Sequence, residues 1–171
     1  MGETRGEGAD PGGRFVLHRF NGDEVYRFGS AEMWVGHASD GGTDADVTLW
    51  FELAADDDAV QRCEDTADSG MAPTAEVGIV LPAAEADAGR LVGRTFVMAG
   101  AADGEDSCMS LLYYYEHEPL RDNRITVVSR DGDRFRLRWT AVCEDVNFYD
   151  GSKPPTRVEI EGEFLFRDAR T

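Results

Sequence analysis

The sequence predicts an all-β protein: an antiparallel β-sandwich or, as the alternative, a β-barrel, of about nine or ten strands with one short helix. Three observations carry this prediction. Apolar and polar residues alternate with period two through most of the readable segments. Asn-Gly and Asp-Gly dipeptides stand where hairpins need residues of positive φ. Only one stretch shows helical spacing with an acidic start and a glycine stop. The long, uneven connections favour the sandwich over the barrel.

In chain order, residues 1–13 are Gly- and Glu-rich and lack an apolar core, so they read as a disordered N-terminal segment ahead of a single all-β domain at 14–168. Residues 15–20 and 24–28 form a hairpin around Asn21-Gly22. Strands follow near 32–37 and 46–53, the second with Val47, Leu49, Phe51 and Leu53 on one face. Residues 57–67 are the helix candidate, with a narrow stripe of Ala59, Val60, Cys63 and Ala67. Strands near 76–81, 94–99 and 107–117 come next, with one helical turn over 83–88. The C-terminal part is the most legible. A strand through Ile125 and Val127 turns at Asp131-Gly132 and returns with Phe135, Leu137, Trp139, Ala141 and Cys143 facing inward. A last strand, 157–167, turns Val158, Ile160, Gly162, Phe164 and Phe166 inward. Arg134, Arg136 and Arg138 recur at period two, as do Glu159, Glu161 and Glu163, which predicts that these strands pair near Arg136 and Glu161.

The 171 residues are 42% hydrophobic, enough for a core without metal or disulfides. No run approaches the ~20 apolar residues of a membrane span. The formal charge of −17 is regional: residues 38–106 hold 16 acidic and 3 basic side chains, whereas 111–171 hold 12 and 10. Such a field disfavours nucleic acid and anionic membrane and speeds encounter with a basic protein partner. Uniform acidification of the surface would have reached both halves of the chain. The three cysteines, at long spacing, match no zinc pattern, and the odd count fits a reducing compartment. The expected location is therefore cytoplasmic, with export after loss of a signal segment as the alternative.

No nucleophile elbow, Walker loop, H-E-x-x-H or G-x-G-x-x-G occurs in the sequence. Trp34, Trp50 and Tyr114 stand out of phase with their apolar neighbours, which predicts an aromatic outer face able to stack on a ligand. Phe148 and Tyr149 lie in a long Pro-stiffened loop and extend the candidate set. Asp40, Asp44 and Asp46 crowd one connection and could hold calcium, although their spacing is not that of an EF-hand. Calcium is the only cofactor the sequence raises. His117, between Glu116 and Glu118, is the one histidine placed for general acid–base work, but strand alternation turns its neighbours away from its ring. The expected function is a non-catalytic binding or interaction module, an acidic inhibitor or immunity-type protein for a basic partner. A calcium- or carbohydrate-binding sandwich, or a small hydrolase-like or ligand-binding barrel using His117, are the alternatives.

Overall fold

Period-two alternation becomes ten β-strands in the computed structural model of the chain, which describes residues 12–37, 45–63, 72–100 and 109–168. They are β1 (Arg14–Arg19), β2 (Gly22–His37), β3 (Asp46–Ala55), β4 (Thr74–Pro82), β5 (Thr95–Met98), β6 (Met109–Tyr113), β7 (His117–Pro119), β8 (Arg121–Asp131), β9 (Arg134–Cys143) and β10 (Thr156–Asp168). They form one sheet in the order β5-β8-β9-β10-β1-β2-β3-β4-β6-β7. Every pairing is antiparallel except a short parallel one, in which Leu165 to Asp168 of β10 lie beside Glu32 to Val35 of β2. Near its start β1 hands β10 over to β2. Gly13 and Gly162 meet there under the Phe28 ring, where a Cβ on either would collide with that ring.

The sheet is open in its pairing, yet the chain brings its two ends together. Leu120, between β7 and β8, donates its N–H to the Ser110 carbonyl at 2.9 Å and so extends the β6–β7 ladder by one residue. Two residues later Asp122 takes a φ of 52°. The ladder slips between Arg121 and Arg124, and the same run of chain pairs with β9 instead. The curled sheet encloses one cluster of buried side chains, with Phe51 of β3 packed on Phe96 of β5 at 6.2 Å between ring centroids. Its architecture is thus sandwich-like in its two facing halves and barrel-like in its near closure.

The corner is held by Asn123, which is fully buried. Its amide donates to the Leu120 carbonyl at 3.0 Å, and its Oδ1 accepts from Ser110 Oγ at 2.9 Å and from Trp139 Nε1 at 3.0 Å. One side chain therefore ties β6, β8 and β9 together while satisfying the indole of the fully buried Trp139.

The predicted faces of β3, β9 and β10 are those observed, with Leu49, Phe51, Leu137, Trp139, Val158 and Ile160 fully buried. The Arg and Glu rows do face each other: Arg136 donates to Glu161 at 2.9 Å, and Arg138 lies 3.6 Å from the same carboxylate. Being exposed, these pairs fix register more than they stabilise.

Four local expectations are corrected. Residues 57–63 are not helical. Val60 and Gln61 donate to the Val25 carbonyl, and Val25 donates to Gln61, so this segment pairs the part of β2 that β3 leaves bare; residues 64–67 lie outside the described residues. The turn at 83–88 is two 3₁₀ turns, Ala83–Glu85 and Ala88–Arg90, the second capped by Asp87. Both hairpin loops are displaced by one residue, because Arg19 pairs with Gly22 and Asp131 with Arg134. The dipeptide marks where positive φ is needed, not which place in the turn each residue takes. The strand expected over 107–117 breaks, within the described residues, into β6 and β7 around the turn at 114–116. Of the segment 1–13, Gly13 is packed as described above, while residues 1–11 lie outside the described residues. No helix among the described residues is long and apolar enough to cross a membrane.

Replacing Asn123 by Ala strands the Trp139 indole N–H and the Ser110 hydroxyl in the interior. The expected loss, read from urea unfolding midpoints, is about 2–4 kcal/mol; a loss no larger than that of an exposed Asn→Ala control would show that the corner does not depend on this side chain.

Candidate functional site

The outer face of β2, β3, β4, β6 and β7 is built from rows that the ladder registers place side by side. One row runs Ser30, Ala54, Thr74, Tyr113, His117. The next runs Glu32, Glu52, Glu76, Leu111, Pro119, and the third Trp34, Trp50, Gly78, Met109. Small side chains in the first row leave two adjoining open depressions. The one over Ser30, Ala54 and Thr74 measures about 240 Å³, and the one between Glu76 and the Tyr113–His117 ring pair about 350 Å³. Thr74 and Glu76 line both, so they form a single shallow groove with an acidic wall.

Glu32 is paired with Arg167 at 2.8 Å. Glu52 and Glu76 stand directly opposite each other, and no ion pair reaches either among the described residues. Like charges in this arrangement destabilise a sheet, so the free protein holds an electrostatic strain here that a bound cation would relieve.

Beyond the acidic row, the half-buried indoles of Trp34 and Trp50 stack at 5.6 Å with an interplanar angle of 18°. They lie flat because glycine stands beneath them: a Cβ at Gly78 would come within 2.8 Å of the Trp50 ring, and one at Gly36 within 2.7 Å of the Trp34 ring. The structure thus brings Trp34 and Trp50 together on the outer face, with Met109 exposed beside them.

Tyr114 does not join them. It is 2% exposed, in phase with the buried Ser110 and Leu112, while Tyr113 and Tyr115 point outward. Reading Tyr113 and Tyr115 as the core phase inverted the alternation. Phe148 packs edge-on against Phe20 at 5.7 Å, and Lys153 sits over both rings at 4.9 and 5.1 Å, so this loop aromatic is engaged within the chain. Tyr149 remains exposed; burial and the nearby Glu118 carboxylate push its phenol up to about 12. Of the calcium candidates, Asp46 opens β3 opposite Pro82, and Asp40 and Asp44 lie outside the described residues. Much of the acidic sequence of the middle connections, at 38–44, 64–71 and 101–108, lies outside them as well. His117 is exposed at the end of the groove, its ring 4.9 Å from that of Tyr113.

The sequence did not point to the polar network buried at the β1–β2 end. Arg19, on the inner phase of β1, donates to both Asp145 oxygens at 3.0 and 3.1 Å and to Glu24 at 2.8 Å. Glu24 also accepts the hydroxyls of Tyr26 and Tyr114 at 2.7 and 2.9 Å, and Asp145 that of Thr156 at 3.2 Å. The side chains of Arg19 and Glu24 are wholly shielded from solvent. Burial alone would favour neutral Arg19, but the two carboxylates outweigh it and hold the guanidinium charged. Burial and Glu24 together raise both phenols, which remain donors. This network pins the 144–155 connection to the first hairpin and is a structural plug. An Arg next to the Asn-Gly signal was the one hint of it, and period two alone could not tell an inward arginine from an edge one.

Arg19→Met leaves two buried carboxylates without their cation. It is expected to cost about 3–5 kcal/mol in denaturant unfolding; retention of wild-type stability would show that the plug contributes nothing. A second group titrates. Glu118, on the inner phase of β7, is 8% exposed, and its carboxyl is raised above the ordinary range by burial and then by Glu144 and Glu116. The folded state thus binds this proton more tightly than the unfolded chain does. The associated stability is complete below the ordinary glutamate pKa and is lost as pH rises through the raised value. Glu118→Gln should abolish that decline, visible as a melting temperature less sensitive to pH between mildly acid and neutral solution; an unchanged pH profile would count against the burial of this charge. No protein-family model, no curated protein and no solved structure matches this chain, so the reading of the site rests on its own geometry.

Proposed function

We propose that the protein is a non-catalytic binding module whose outer groove takes a basic segment of a protein partner. The observation that carries this reading is the row Glu32, Glu52, Glu76, in register across three strands and flanked by the stacked indoles of Trp34 and Trp50. Each half of the face has its part in recognition. The carboxylates attract and orient cationic side chains, and the indoles supply flat apolar area at low entropic cost for alkyl stems or guanidinium planes. The excess of acidic residues at 38–106 adds to the chain's negative charge, which would accelerate encounter with a basic protein. Neutralisation of a basic enzyme, as an inhibitor or immunity-type protein does, is the sharpest form of this proposal. The flat indole pair would also suit a sugar ring, which makes carbohydrate the reading to test against it.

Tryptophan emission reports on the groove directly, because Trp139 is sealed in the core while Trp34 and Trp50 are half-buried outside. Octa-arginine peptide should shift this emission, with an affinity that falls as salt rises. Glu52→Gln combined with Glu76→Gln should weaken the peptide about tenfold, equivalent to about 1.4 kcal/mol. Emission that ignores the peptide but responds, independently of salt, to a neutral oligosaccharide would replace the basic partner with a carbohydrate.

A further inference from the structure

The groove has a counterpart of opposite charge on the other half of the same sheet. On the outer phase of β1 and β2, Arg14 stands directly opposite Arg27, and the next outward pair along these strands is Val16 opposite Val25. Both arginines are exposed, and no ion pair reaches either among the described residues. Glu161 faces Arg14 across β1 and β10, but it is engaged by Arg136 at 2.9 Å and lies 3.6 Å from Arg138. Like charges set directly opposite each other destabilise a sheet. The Arg14–Arg27 pair is therefore the same unrelieved arrangement as Glu52–Glu76, with the sign reversed. Beside it the surface is hollow. An open depression of about 360 Å³ lies between Arg14, Arg136, Glu159 and Glu161. Val16 also lines it and is only 2% exposed although it points outward, so this valine lies at the bottom of the hollow.

We infer that a second copy of this chain occupies the groove when no other partner does, its Arg14 and Arg27 meeting Glu52 and Glu76; this rests on the groove reading above and adds how the groove is regulated. The two faces share one frame. Each is a pair of adjacent antiparallel strands with a like-charge pair in one row and apolar or small residues in the next. On one face Trp50 opposite Gly78 follows Glu52 opposite Glu76, and on the other Val16 opposite Val25 follows Arg14 opposite Arg27. Strand geometry sets the same spacing in both, about 4.8 Å within a row and about 6.7 Å between rows. Laid face to face, the guanidiniums meet the carboxylates while the stacked indoles of Trp34 and Trp50 meet the valines and the hollow. Each like-charge pair relieves the other, and a guanidinium can hold a carboxylate through two parallel hydrogen bonds. The contact is heterologous, joining the groove of one copy to the arginine face of the next. The net charge of −17 opposes the approach of two copies, and salt at physiological strength screens that repulsion beyond about 8 Å. The self-contact is thus weak enough for a more basic protein to displace it.

Sedimentation velocity of the full chain, over a concentration series at physiological ionic strength, tests the self-contact. The mean mass of the wild type should rise above that of the monomer with concentration, and octa-arginine should return it to monomer. The groove variant, Glu52→Gln with Glu76→Gln, and the arginine variant, Arg14→Gln with Arg27→Gln, should each self-associate at least about tenfold more weakly. Removing two carboxylates lowers the net charge and by itself favours association, so a loss in the groove variant reads the contact and not the overall repulsion. An equimolar mixture of the two variants should associate again, because one keeps its arginine pair and the other its groove. Octa-arginine should bind the arginine variant at least as tightly as the wild type, since no second copy competes for its groove; this also shows that the variant is folded. Wild-type association in either variant, or a mixture that stays monomeric, would overturn the self-contact. A wild type that binds octa-arginine yet remains monomeric throughout would overturn it as well and leave the groove reading standing, whereas a wild type that does not bind octa-arginine would overturn both.

Discussion

The fold depends on one bend. Between β7 and β8 a single run of chain leaves the β6 ladder at Leu120, turns at Asp122 and enters the β9 ladder. A sheet of ten strands must curl or split to bury its apolar face, and this corner carries the chain from the β6–β7 end of the sheet to the β8–β5 end, so that the sheet curls although its two edge strands do not pair. The cost of turning falls on backbone groups that would otherwise be buried without partners. Asn123 meets that cost because an amide both donates and accepts, so it can serve the Leu120 carbonyl, the Ser110 hydroxyl and the Trp139 indole together.

Once the sheet has curled, its interior is committed. Large aromatic and branched side chains fill it, and its β1–β2 end is shut by Arg19 held between Glu24 and Asp145. A charge network this completely satisfied serves order more than stability. It fixes the position of the 144–155 connection, which Lys153 then clamps over Phe20 and Phe148. That clamp uses the chain's only lysine. On the outer surface the two halves of the sheet differ. On β9 and β10 opposite charges face one another, whereas Glu52 faces Glu76 across β3 and β4. The first arrangement is complete in itself. The second gains from an added cation, and the flat indoles beside it extend the same surface.

Charge also separates the two acidic groups. Glu52 and Glu76 are half-buried on the open face and can be approached from solvent along the groove. Glu118 faces inward, and desolvation raises its proton affinity before any neighbour acts on it.

Sequence by itself determined the elements that obey a local rule. The inward faces of β3, β9 and β10, the Arg136–Glu161 pairing, both hairpins and the outward Trp34 and Trp50 follow from period two and turn chemistry, which neighbouring residues alone specify. Tertiary structure decided whatever depends on a partner distant in the chain. Residues 57–63 extend along β2 because that edge needed pairing, and Tyr114 turns inward because Glu24 accepts its hydroxyl. The glutamate row shows the division most clearly. Glu32, Glu52 and Glu76 are each an ordinary outward position on a separate strand, and only the registers of β2, β3 and β4 set them abreast. A strand's own alternation says which face a side chain takes; which residue stands beside it is fixed by ladder register, a property of two chains of backbone and not of one.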